Sequence, residues 1–366
     1  MTLSYYVAVR FLGAFLRVLA IVVAIMFTVE FVETRRSLAG SVDGLGPIAH
    51  LTLLRIPSLI DQMFPLIMLI SSLTLFVGLA RSSELVISRA AGVSAIRLLI
   101  APVIVTLLIG VTFVAVFNPI VAATIRSHSQ LKDEIRQISR SVLSVSGQGI
   151  WLRQVVDERQ TVIFARRASA DGSLLIEVEF HVFDKDGGLQ ERVLADRAQI
   201  QGNQWILSNL RRWNVGSDRT EPSGEIERAT RAEIPTNLSS EQILDSFAPP
   251  RTISVWQLPT IIDQLEQSGF TAQRHKLFLQ SALAAPILFV AMVLVGAGFT
   301  MRHVRFGKTG VMVLLAVMSG FVLFSFTSVA NSLGAAGNVP IMIAAWAPPI
   351  AGVLLTIGLL LHLEDG

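Results

Sequence analysis

The chain of 366 residues has no cysteine. That excludes disulfides, thiolate metal sites and cysteine nucleophiles, and it leaves the compartment open. Charge is scarce as well: acidic and basic residues make up 16% of the chain, against 52% hydrophobic residues. A water-soluble domain rarely holds that balance, so the composition predicts an integral membrane protein. The net charge of +3 is small for this length and gives no electrostatic footprint for nucleic acid. From Thr309 to Leu361 there is no Asp, Glu, Lys or Arg at all. A run of that length is too long for one membrane crossing and fits two, broken near Leu333 to Pro340. The catalytic inventory is bare too. The six histidines are scattered without an H-E-x-x-H pattern, and no G-x-S-x-G elbow occurs. Gly307-Lys308-Thr309 resembles the end of a phosphate-binding loop, but Arg302 stands where that loop needs its first glycine. The chain is therefore predicted to bind no metal, cofactor or ATP of its own.

What is present falls into two apolar blocks around one polar insert. Phe11 to Val32 is long enough to span roughly 30 Å of hydrocarbon at about 1.5 Å per residue. Ser37-Leu38-Ala39 resembles a signal-peptidase site, but the apolar run is too long and Glu30, Glu33, Arg35 and Arg36 precede it, so an uncleaved anchor is expected. Further spans are predicted at Ile56 to Leu79, Leu98 to Pro119 and Leu277 to Met301, which with the final pair makes six. Arg17 is expected to snorkel, whereas Glu30 either snorkels or serves inside the membrane.

The insert, about Ser127 to Thr271, begins with helical spacing over Gln130 to Ile138 and then changes to period two. Leu174, Ile176, Val178, Phe180 and Val182 read as the buried face of one strand. Asp186-Gly187-Gly188 is a hairpin signal. Other strands are predicted at Ile150 to Val155, Thr161 to Arg167, Val193 to Ile200, Gln204 to Leu210 and Ala229 to Ile234. Short strands separated by turns predict a β-sandwich or jelly-roll. Ile253 to Ser268 returns to helical spacing. The fold class expected is thus an α-helical membrane protein of six transmembrane helices, with an all-β jelly-roll between helices 3 and 4. Its parts are 1–126 with the first three spans, 127–271 with the β domain and its flanking helices, and 272–366 with the last three spans.

Basic residues set the orientation. Arg10, Arg81, Arg89, Arg97, Arg302, Arg305 and Lys308 fall on one side if the N-terminus is cytoplasmic, and the insert is then external. Arg35, Arg36, Arg55 and Arg126 collect at the outer mouth, where arginine forks suit phosphate. Ordinary anchoring to bilayer headgroups is the competing reading. Between the second and third spans, Ser82 to Gly92 is polar yet patterned. Leu85, Val86, Ile87 and Ala90 sit among Arg81, Glu84 and Arg89, with Ser82 or Ser83 as N-cap and Gly92 as a stop. Such an amphipathic helix either docks into a partner or lies on the membrane surface. A membrane-anchored scaffold or sensor with an external domain fits the same layout.

Arg81-Ser82-Ser83-Glu84-Leu85-Val86-Ile87-Ser88-Arg89-Ala90-Ala91-Gly92-Val93 resembles the cytoplasmic signature of the LptF/LptG (YjgP/YjgQ) permeases. Gly147-Gln148-Gly149-Ile150-Trp151, Ala345-Trp346-Ala347-Pro348-Pro349 and Leu363-Glu364-Asp365-Gly366 are similar to the LptG branch, and the resemblance covers nearly the whole chain. It implies a permease subunit of an ABC transporter that extracts lipopolysaccharide from the bacterial inner membrane. The partners it implies are LptF, an LptB dimer carrying the ATP and Mg, LptC, and LptA as the bridge onward. It makes the segment with Ser83, Glu84, Leu85, Val86, Arg89 and Gly92 a coupling helix, with Glu84 as an ionic contact to the ATPase. Arg35, Arg36, Arg55 and Arg126, together with Glu30, become the candidate lipopolysaccharide contacts. Glu30 departs from the family, since some LptG relatives are basic near that point. A carboxylate meets phosphate only through a divalent cation or a proton.

Overall fold

The structure is a computed structural model that describes residues 2–38, 44–135, 144–146, 149–156, 159–169, 173–184, 188–214, 227–236, 249–267, 270–301 and 309–364. The Arg302 to Lys308 loop, Asp186-Gly187, Gly147-Gln148 and the sequon at Asn237 lie outside the described residues. The chain divides into two compact units. One holds Met1–Arg136, Arg251–Trp256 and Gln273–Gly366, the other Gln137–Pro250 and Gln257–Ala272.

The first unit is helical. In hydrocarbon every backbone polar group needs an internal partner, so uncharged runs of this length become helices. Helices α1 (Thr2–Ser37), α2 (Leu45–Arg81), α3 (Glu84–Ala90), α4 (Ala95–Thr112) and α5 (Asn118–Ile135) come first. After the β domain follow α7 (Gln273–Thr300), α8 (Thr309–Ala335) and α9 (Ile341–Glu364). A π-helical turn, Phe113–Phe117, joins α4 to α5, so one helix runs through the third span and onward to Ile135. Among the described residues six helical segments are long and apolar enough to cross a membrane, as the sequence predicts. The break in the long uncharged run falls between Ala335 and Ile341, inside the predicted stretch.

Aromatic rings fill the centre of this unit. Phe64 of α2 lies 4.2 Å from Phe113, 4.8 Å from Phe289 of α7 and 5.8 Å from Phe15 of α1, centroid to centroid. The π turn stacks Phe113 on Phe117 at 5.0 Å. It also widens the helix ladder, which opens its carbonyls to outside donors. The indole N–H of Trp256 donates to the Ala115 carbonyl at 3.1 Å, and the Val255 N–H donates to Asn118 Oδ1 at 2.9 Å. Arg251 on the same segment interacts electrostatically with Asp61 of α2.

That segment corrects the expected helix over Ile253 to Ser268. Helix α6 begins only at Leu258 and ends at Gln267. Pro259 explains the late start: a proline ring is tolerated in the first turn of a helix, but deeper inside it would strike the carbonyl four residues back.

The second unit is built on one antiparallel sheet with strands in chain order, β1 (Ser144–Ser146), β2 (Gly149–Val156), β3 (Arg159–Ala168), β4 (Leu174–Phe183), β5 (Leu189–Gln201), β6 (Gln204–Asn214) and β7 (Glu227–Pro235). The predicted strands are all present. β1 is an addition, too short to carry a period.

The sheet is creased along one transverse line. Pairing steps over Arg166, Glu177, Asp196 and Asn209, which lie in register on β3 to β6. Glu177 and Asn209 have φ of 53° and 52° there. Arg166 and Arg167 hold the Glu177 carboxylate at 2.9 and 3.2 Å, and Asn209 donates to Asp196 at 3.3 Å. On β4, β5 and β6 the crease residue shifts the inward phase of the strand by one. On β4 the buried residues are Leu175, Val178, Phe180 and Val182, so Ile176 is not part of that face. The alternation read from the sequence holds only on the Val178 side of Glu177.

The crease closes the sheet on itself. Phe180 pairs with Val193 and Trp205 pairs with Ile200, seven residues further along β5. In a flat sheet the two rings would stand about 25 Å apart, yet their centroids are 6.2 Å apart. Likewise Gln154 of β2 donates to the Pro235 carbonyl at 3.0 Å and accepts from Thr236 at 2.6 Å, although β2 and β7 are far apart in strand order. The two layers of the expected sandwich are the two halves of one folded sheet.

In the helical unit, α4 and α7 meet where Gly110 faces Pro286, and a Cβ at Gly110 would lie 2.8 Å from the Pro286 Cα. Gly110→Ala is expected to lower the stability of the detergent-solubilised protein by about 1–3 kcal/mol, the range for overpacking. Gly78→Ala, with nothing within 4 Å of the added Cβ, is expected to be neutral or stabilising by up to about 1 kcal/mol. Thermal unfolding of the two variants checks both signs.

Candidate functional site

Two charged clusters mark opposite ends of the helical unit. The first surrounds α3. Arg81 ends α2, and the Ser82 N–H bonds back to the Gly78 carbonyl at 3.0 Å. Ser83 takes φ of 59°, which turns the chain sharply, and its carbonyl accepts from the Ile87 N–H. At the other end Gly92 has φ of 81° and the Val93 N–H reaches the Ser88 carbonyl at 3.1 Å. That is a Schellman close, which glycine accommodates without strain. Ser94 then caps α4 by accepting from the Arg97 N–H at 3.2 Å. Gly92 is thus the stop the sequence indicated, and Ser83 sits at the N-cap position.

The side chains of α3 divide by direction. Leu85 is 5% exposed and joins the apolar core. Val86 and Ile87 are 50% and 66% exposed and face outward. Arg89 belongs to the same helix. Glu84 turns to α1, where Arg10 Nη1 donates to both carboxylate oxygens at 2.8 Å and the Tyr6 hydroxyl donates to Oε2 at 2.8 Å. The Arg10 guanidinium also lies over the Tyr6 ring, 5.1 Å from its centroid. Hydrogen bonding from Ser82, then from Tyr6 and Arg10, holds the Glu84 carboxyl below its ordinary value of 4.5. Sequence reasoning used Arg10 only for orientation and passed over Tyr6. Their i,i+4 spacing on one helix face was the available signal.

The second cluster lies at the other end of α1 and α2. Glu30 is buried, 8% exposed, and Arg55 Nε approaches its carboxylate at 3.1 Å, with the Thr34 hydroxyl donating at 3.4 Å. Of the two sequence alternatives, snorkelling does not describe Glu30, which packs inside the bundle against Arg55. Burying a carboxylate requires a paired cation, and Arg55 supplies it from the neighbouring helix. His128 of α5 interacts electrostatically with Arg55 and Lys132, so these residues join the cluster although the sequence did not single them out. Arg35, Arg36 and Arg126 are exposed and have no ion-pair partner among the described residues. The cluster sets one buried carboxylate against Arg55, with His128 and Lys132 beside that arginine. Among the described residues no group of His, Cys, Asp and Glu is placed to hold a metal ion.

Two outcomes test these clusters. Arg55→Ala strands the Glu30 carboxylate and is expected to cost about 1–3 kcal/mol. Adding Glu30→Ala should recover part of that loss in a double-mutant cycle read by thermal unfolding. At α3, a lowered carboxyl value means the ionic contact is complete at neutral pH and disappears as the pH falls below 4.5 through the lowered folded value. The melting-temperature difference between wild type and Glu84→Gln should therefore vanish on the acid side and be constant above it.

The profile of the family described as "Lipopolysaccharide export system permease LptF/LptG" matches residues 5–362. The chain is 22% identical over 376 residues to the lipopolysaccharide export system permease protein LptG of Haemophilus influenzae, covering 100% of this chain and 99% of that protein. It is 25% identical over 371 residues to the LptG protein of Escherichia coli K12, covering 98% of each chain. A match that takes in the membrane helices, α3 and the β domain leaves one conclusion: the chain belongs to the LptF/LptG family of lipopolysaccharide export system permeases.

Proposed function

We propose that this chain is the LptG-type subunit of the transporter, paired with LptF in the bacterial inner membrane and driven by an LptB dimer. Its termini and α3 face the cytoplasm, and its β domain stands in the periplasm, where LptC and LptA carry lipopolysaccharide onward. The observation that carries the reading is the layout of α3. Leu85 and Glu84 fasten the helix to its own bundle, while Val86 and Ile87 present an apolar face outward. An exposed apolar face on a connection that is otherwise polar suits a groove in a cytosolic partner. The chain lacks a nucleotide-binding loop, so ATP and Mg belong to that partner.

The work then runs as follows. Closure of the ATPase dimer moves α3. The turns at Ser83 and Gly92 are short, so α2 and α4 follow it. The space between the two permease subunits narrows and expels the lipid toward the β domain. Removing acyl chains into water would cost about 0.8 kcal/mol per methylene, so the route must stay apolar. Inside the folded sheet Leu175, Phe180, Val193 and Trp205 form a closed apolar core, which acyl chains would have to part in order to enter. At the outer end, Arg35, Arg36 and Arg126 are suited to the phosphates of the cargo, and Arg55 joins them from its pair with Glu30.

The paired substitution Val86→Asp with Ile87→Asp tests the reading. Copurification with LptB and ATP-dependent release of lipopolysaccharide to a soluble acceptor should both fall about tenfold or more, the factor for each 1.4 kcal/mol of lost contact. Wild-type levels of both would contradict the assignment of α3.

A further inference from the structure

The contact between α1 and α3 deserves a role of its own. Glu84 begins a helix of seven residues whose two ends are fixed by turns to α2 and α4. Its carboxylate is nevertheless committed to α1, through hydrogen bonds from Arg10 and Tyr6 across a sequence separation of 74 and 78 residues. A carboxylate offers roughly four acceptor positions, and beside the hydrogen bond from Ser82 this one already takes those from Tyr6 and Arg10. A cation arriving from a partner finds little room unless Arg10 leaves. Arg10 itself is held twice, by the carboxylate and by the face of Tyr6.

Helix α1 is a member of the bundle with one open side. Tyr5, Val9, Leu12 and Leu16 are exposed along its first half, at a spacing of four, three and four that keeps them on one side of the helix. That side faces away from the rest of this chain, and so it borders lipid or a neighbouring subunit. Whatever moves α1 changes that border.

We propose that Arg10 and Tyr6 are positioning residues that clamp Glu84 and so fasten the coupling helix to the first membrane helix, delivering displacement of α3 to α1 as well as to α2 and α4. The proposal rests on the reading of α3 given above and deepens it. Within this chain Glu84 is tied to α1 through Arg10 and Tyr6, while Val86 and Ile87 stand exposed. An ionic tie suits the task, because its strength is independent of the apolar packing that must slide when the bundle moves. The Tyr6 ring lies against the guanidinium and keeps Nη1 aligned with the carboxylate.

The chain has no cysteine, so Tyr5→Cys and Ala90→Cys give clean sites for a pair of spin labels on α1 and α3. Labels are placed in the full complex, with partner cysteines replaced, and the distance distribution is read by pulsed electron resonance. Lipopolysaccharide released per ATP hydrolysed is measured on the same preparations without labels. The expected result is a narrow distribution for wild type and a broad one for Arg10→Gln, with a several-fold fall in lipid released per ATP. Arg10→Lys, which keeps the charge, should restore most of both. An unchanged distribution in Arg10→Gln overturns the clamp. A broadened distribution with an unchanged release ratio overturns its role in coupling. Should the wild-type complex hydrolyse ATP and release no lipopolysaccharide, the assignment of the transporter fails, while the label distances still decide whether the clamp exists.

Discussion

A lipid with several acyl chains does not cross water unaided, and this constraint shapes every part of the chain. Each methylene exposed costs about 0.8 kcal/mol, so a permease for lipopolysaccharide must offer apolar surface at each stage and push the cargo between stages. The helical unit exposes apolar side chains along α1 and α8. The β unit closes an apolar core inside a sheet that folds over at a line of polar residues. The chain belongs to the LptF/LptG family of lipopolysaccharide export system permeases.

The charges of the helical unit follow from the same constraint. An ionised group near hydrocarbon must be paired, and two of the acids here are paired across helices. Glu30 ties α1 to α2 through Arg55 at one end, and Glu84 ties α3 to α1 through Arg10 at the other. The first pair is largely buried on its acidic side, so it fixes geometry firmly. The second is more exposed, and so its strength is modest and its breakage cheap. The π turn adds a third fixed point, where Trp256 and Val255 bind the middle of the long third helix.

Much of this was legible in the sequence because the signals were long. Uncharged runs gave the spans, and alternation gave all the predicted strands. Gly92 gave the end of α3. The misses share one cause, which is that they depend on contacts between distant residues. Nothing local in Leu174 to Val182 announces that Glu177 takes a positive φ, since that conformation is supported by Arg166 and Arg167 on the next strand. The burial of Glu30 made sense only once Arg55 was beside it. Tyr6 looked like part of an N-terminal flank, and its partner lies 78 residues away. Pro259 was a local signal for the late start of α6, and the helical spacing around it outweighed it.

Force, on this account, enters at α3, spreads through short turns to α2 and α4 and through Glu84 to α1, and ends as a change in the space that holds the cargo. The most direct measurement is the lipid content of the purified transporter, with its partner permease and ATPase subunits, by mass spectrometry before and after nucleotide binding. The account predicts lipopolysaccharide enriched far above its share of the surrounding membrane at rest, and depleted once ATP is bound. Phospholipid in bilayer proportions, unchanged by nucleotide, would contradict it.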